Sequence, residues 1–158
     1  MNAKGILIAE DCHVVNALPP LDIDASAQNS DVWSMAKYAH ASIIVQLGVT
    51  GATAVITVEE CDDFTPSNST AIAFASYSEV TANGDTLGAR AQTSSAGLTT
   101  SANNGVFYVL EVDASQLSDG FPCMRVALTD PGAATFGSIV VILSGARYAG
   151  QDSPTAIA

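Results

Sequence analysis

This chain has little charge, and above all little positive charge. Of its 158 residues only 5 are Lys or Arg, against 16 Asp or Glu, and charged residues make up 13% of the total. A formal net charge of −11 repels phosphate, so direct binding of nucleic acid is not expected. Long hydrophobic runs are missing too. None approaches the roughly 18 apolar residues that cross a bilayer as a helix, so no membrane span is expected. The apolar part of residues 1–9 is too short for a secretory leader, and Glu10 and Asp11 follow at once, which points to folding in a cytoplasm.

The groups that carry catalysis are scarce as well. His13 and His40 are the only histidines, and no serine sits in a GxSxG elbow. Cys12 and His13 are adjacent, so on an extended chain they point to opposite faces. Cys61 and His40 could meet across a hairpin, but nothing in the sequence supplies an orienting partner or an oxyanion hole. Cys12, Cys61 and Cys123 are widely spaced and form no CxxC pair, so they are read as reduced, buried small hydrophobes rather than zinc ligands. Glu59, Glu60, Asp62 and Asp63 form the one dense group of acids. Their spacing does not match an EF-hand, and they are read as a solvated corner. There is no P-loop and no dinucleotide-binding glycine pattern. No enzyme, cofactor or metal is expected.

What the chain does have is a high apolar content, 48%, in short runs rich in β-branched residues. At this length a single domain buries about 70% of its unfolded surface. Residues 106–112, 124–128 and 138–143 read as consecutive antiparallel strands, bounded by Asp119-Gly120-Phe121-Pro122 and Asp130-Pro131-Gly132. Residues 40–47 and 53–61 alternate with period two around Gly48-Val49-Thr50-Gly51 and read as a hairpin. Further strands are expected at 31–35, 70–80 and 87–93, with a short edge strand near Leu98 and a tight turn at Asn83-Gly84. Ile6, Leu7 and Ile8 read as a short strand. Arg125 lies inside a strand and is read as half of a structural ion pair. Trp33 and Tyr38 are read as core or rim residues.

The fold expected is all-β: an antiparallel β-sandwich, jelly-roll-like, spanning residues 31–148. Residues 1–30, interrupted by Pro19-Pro20, are read as an extended arm laid along this domain or a neighbour's, and residues 149–158 as a C-terminal tail. Leu18, Pro19, Pro20, Leu21, Ile23, Trp33, Arg147 and Tyr148 are the candidate interface residues.

Several blocks resemble a group of small virion structural proteins of tailed bacteriophages. They are Ile8-Ala9-Glu10-Asp11, Leu18-Pro19-Pro20-Leu21-Asp22-Ile23, residues 38–48, residues 109–114, residues 120–126 and residues 142–149. The resemblance spans residues 6 to 150 and implies a virion component, foremost a capsid decoration (cement) protein. Its implied partners are the major capsid protein and further copies of itself, with a trimer favoured, and its implied place is the capsid surface. A tail or head–tail connector component is the alternative within that class. A host- or carbohydrate-binding module is the alternative outside it, although Trp33, Phe64 and Tyr77 are not clustered in sequence.

Overall fold

Alternation decides which face of each strand is buried. Along the central strand β4 (Tyr38–Thr50), Ala41, Ile43, Val45 and Leu47 turn inward and are shut off from solvent, while Ser42, Ile44 and Gln46 turn outward. The computed structural model describes residues 5–24, 26–147 and 155–157. It contains two antiparallel sheets packed face to face, an all-β sandwich as the sequence led us to expect.

The first sheet runs in the order β1 (His13–Asp22), β12 (Thr135–Ala146), β4, β10 (Phe107–Asp113), β7 (Phe74–Ser78), β8 (Ala91–Thr93). The second runs β2 (Gln28–Asn29), β11 (Cys123–Leu128), β5 (Val55–Cys61), β6 (Ser69–Ile72), with β3 (Trp33–Ser34) also on β11 and β9 (Leu98–Thr99) also on β5. Successive strands cross repeatedly from one sheet to the other. The core lies between them: Ile43, Leu110, Ile139 and Val141 from one side meet Ile56, Val58, Met124 and Val126 from the other. Two short helical turns, α1 (Ile8–Asp11) and a 3-10 turn at Ala114–Gln116, complete the fold.

Several expectations are corrected by this topology. Residues 40–47 and 53–61 do not form a hairpin, because β4 and β5 belong to different sheets. The last three strong runs are likewise not neighbours. β10 and β12 flank β4 on opposite sides, and β11 lies in the other sheet between β5 and β2. Ile6 and Leu7 lie outside any strand, and Ile8 opens α1, where Asp11 accepts a hydrogen bond from the Leu7 backbone N–H at 2.8 Å.

The N-terminal segment, expected as an extended arm laid along this domain or a neighbour's, lies on its own domain as a strand. Residues 13–22 form β1, the edge strand of the first sheet, paired with β12 from His13↔Leu143 to Asp22↔Phe136. Its register shifts on both sides of Leu18, where Pro19 and Pro20 cannot donate to a ladder. A sheet edge is the place where that loss is tolerated. The boundary expected at residue 30 falls inside the sandwich: the Ser30 N–H donates to the Val126 carbonyl at 2.9 Å, and the Ser30 hydroxyl accepts from the Val126 N–H at 2.9 Å. Near the other terminus, the Ala156 carbonyl accepts from the Ser34 N–H at 2.8 Å, and Ala156 is buried. That part of the expected C-terminal tail is docked on the domain; residues 149–154 and 158 lie outside the described residues.

Candidate functional site

The starts of β1 and β4 and the ends of β10 and β12 meet at one end of the sandwich, because His13 pairs with Leu143, Leu143 with Ala41, and His40 with Asp113. A group of polar side chains gathers there or just beyond it. On the outer face of the first sheet, His40 Nε2 stands 2.7 Å from Glu111 Oε2, and His40 Nδ1 stands 2.7 Å from Asp113 Oδ1. The Ser42 hydroxyl donates to the same Glu111 oxygen at 2.6 Å.

A carboxylate only accepts hydrogen bonds, so a ring with a carboxylate at each nitrogen must carry a proton on both. Burial on its own lowers the His40 pKa, but the hydrogen bonds to Asp113 and Glu111 and the charges of those two acids outweigh it. The net shift is upward from 6.5. An imidazolium held at both nitrogens has no lone pair for a substrate proton or a metal. Ser42 is also aimed at Glu111 rather than at the ring, so the order of a Ser-His-Asp relay is broken. This group clamps β4 to β10.

The acid corner at the end of β5 is solvated only in part: Asp63 is exposed, as expected, whereas Glu59 is half-buried and Glu60 is buried, which corrects the expectation for those two. Glu59 Oε2 receives Arg125 Nε at 2.7 Å, the structural ion pair expected of Arg125. Glu60 is buried and accepts the Ser118 backbone N–H at 2.7 Å. Asp62 accepts from Ser67 and Asn68, first the Ser67 hydroxyl and then the Asn68 groups, which hold its pKa down at about 2. Among the described residues no group of three or more His, Cys, Asp or Glu is arranged to hold a metal ion.

Cys61 and Cys123 oppose each other across β5 and β11 as free, buried thiols, and Cys12 is free and partly covered, in line with the sequence reading. Burial pushes the Cys61 thiol up to about 11 and also raises that of Cys123, so both stay protonated and weakly nucleophilic. The conceivable Cys61–His40 pairing does not occur, since the two residues sit in different sheets.

A cavity of about 330 Å³ opens at this end beside the 3-10 turn. Met35, Leu117, Phe121 and Pro122 line it, together with Asp119 and Arg147. A second hollow of about 230 Å³ adjoins it through Ala36 and carries Lys37 and Phe64. Lys37 and Arg147 are joined by a backbone hydrogen bond, Arg147 N–H to Lys37 carbonyl at 2.9 Å. Two of the chain's five basic residues therefore line these two adjoining hollows, on a protein of net charge −11.

The candidate interface residues divide sharply. Leu18 is 6% exposed, and Ile23 and Trp33 are fully buried, so their side chains are core and have no surface to offer a partner. Pro19 and Pro20 are exposed on the β1 edge, with Leu21 half-buried beside them, and Arg147 is exposed at the cavity. Tyr148 lies outside the described residues. Tyr38 is core, its ring stacked on His13 at 5.7 Å. The partners of His40 went unnoticed in the sequence. Glu111 and Asp113 lie 71 and 73 residues from it, and only the β4–β10 register brings them together.

No protein-family model, no curated protein and no solved structure matches this chain.

Proposed function

We propose that this chain is a structural protein of a tailed-bacteriophage virion, and within that class a capsid decoration (cement) protein. In this reading it sits on the outer surface of the major capsid protein, stabilises the head, and associates with further copies of itself, a trimer being favoured. The observation that carries the proposal is the strand order. Setting aside β7 and β8, the order β1-β12-β4-β10 faces β2-β11-β5-β6, an interleaving that supports reading the sandwich as a jelly roll with its edge extended by two strands. Jelly rolls recur in viral capsid and lectin domains. The sequence blocks that resemble phage virion proteins favour the first of those over the second.

The surface chemistry supports the same reading. A protein added to the outside of a DNA-filled shell has no need of basic residues, and this one carries −11. The outer face of the first sheet holds a row of neutral, half-buried residues in register, Val140, Ile44, Val109 and Tyr77. Such a face can be covered by a neighbour without desolvating ions.

The test is rebinding to phage heads stripped of their minor proteins. Saturable, stoichiometric recovery on the shell is the expected outcome, with an increase in the temperature at which the heads rupture. Binding to tail tubes or to a glycan array, with none to heads, would replace the cement reading by the connector or the sugar-binding one.

A further inference from the structure

We propose that the N-terminal segment Ile6–Glu10 of one copy docks into the Met35–Phe121 cavity of a second copy, with Glu10 facing Arg147 and Lys37 of that copy. This names the contact behind the self-association proposed above, but it rests on the cavity and the segment, not on any capsid.

The segment is an unsatisfied half of an interface. Ile6 is 77% exposed, Leu7 46% and Ile8 47%, three consecutive large apolar residues, and no residue of α1 is buried. Isolated exposed apolar residues are ordinary; a contiguous group marks a contact surface. The group is also held ready. Glu10 and Asp11 donate their backbone N–H groups to the Leu7 carbonyl at 2.9 and 2.7 Å, and the Asp11 carboxylate returns to the Leu7 N–H. A knob fixed in this way loses little conformational entropy on docking. Asp11 is occupied by this cap, which leaves Glu10 as the acid free to meet a cation.

The cavity is the complementary half. Its 330 Å³ lies at the lower end of the roughly 300–1,000 Å³ range of ligand-holding clefts. Its floor is apolar, through Met35, Leu117, Phe121 and Pro122. Arg147 lines the cavity and Lys37 the adjoining hollow, so an incoming acidic group meets two cations here, while Asp119 in the same lining repels it. Arg125, by contrast, is already paired with Glu59. Each copy carries both halves, so the contact passes from copy to copy until a ring closes, a trimer being one such closure.

The measurement is the mass of the full-length protein by light scattering from about 1 µM to about 1 mM. The wild type is expected to form a closed oligomer. Leu7→Asp and Arg147→Glu should each weaken its assembly at least about ten-fold, and Glu10→Arg combined with Arg147→Glu should recover most of the loss. These positions are solvent-exposed, so an unchanged thermal midpoint shows that the variants fold. A wild type that stays monomeric throughout, an assembly indifferent to Leu7→Asp, or a charge swap that restores nothing overturns the proposal. Capsid binding by a monomer would leave the cement reading standing and remove this one.

Discussion

His40 Nε2 and Glu111 Oε2 lie 2.7 Å apart across the β4–β10 pair, and the other ring nitrogen lies as close to Asp113. Two acceptor groups on one ring stabilise its charged form, and the folded pKa is raised above 6.5. A group whose folded pKa exceeds its unfolded value adds stability that is complete below the unfolded value. That stability is lost as pH rises through the folded one. Resistance to denaturant should therefore fall as pH climbs past 6.5, and His40→Gln should flatten this part of the profile. Titration of the His40 ring by NMR is the direct check. A midpoint at or below 6.5 would show that the two acids do not hold the proton.

Gly97 has φ +89, and a β-carbon added there would lie 2.6 Å from the Ile56 carbonyl oxygen. The residue ends the turn in which its N–H donates to the Ser94 carbonyl, and it delivers β9 onto β5. Gly97→Ala should cost about 1–2 kcal/mol for the left-handed backbone alone, and more for the contact. Gly120→Ala has the same backbone problem at φ +87 but no neighbour within 4 Å, so it should cost less. Equal losses in chemical denaturation would remove the steric part of the argument.

Arg125 and Glu59 form a pair that is about four-fifths covered, with side-chain exposures of 20% and 19%, and Arg125 also donates to the Ser69 hydroxyl at 3.0 Å. The pair ties β11 to β5 and its guanidinium reaches on to β6. A double-mutant cycle with Arg125→Met and Glu59→Gln should return a coupling of about 1 kcal/mol. Either single change should cost more than the double change shared between the two sites, because it strands a covered charge. A coupling near zero would mean that water already satisfies both groups.

Glu60 is 4% exposed, and its carboxylate takes up the backbone N–H of Ser118 at 2.7 Å, holding the loop beside the cavity. Glu60→Ala leaves that N–H without its acceptor and should cost about 1–3 kcal/mol. Glu60→Gln, which keeps an acceptor oxygen, should lose less. Hydrogen exchange at Ser118 separates the cases: protection should vanish in the alanine variant and survive in the glutamine one.

The sequence alone determined that the chain is built of strands and which side chains face the core. Period two is written in Ile43-Val45-Leu47, Val58, Leu110-Val112 and Ile139-Val141, and local backbone geometry turns that pattern into one buried face per strand. It also excluded Pro19-Pro20 from any central strand, and they lie on an outer one. It could not assign strands to sheets, because both sheets bury the same kind of face and a short connection permits either a hairpin or a crossing. That is why 40–47 and 53–61 read as a pair although they lie in different sheets. Tertiary structure alone decided that Leu18 and Ile23 are core, that residues 13–22 close the first sheet, and that His40 meets Glu111 and Asp113. These are contacts between residues distant along the chain, and they are fixed by register and by which elements fill the space between two sheets. The cavity beside Arg147 arises in the same way, from a strand end, a 3-10 turn and a loop that share no local pattern.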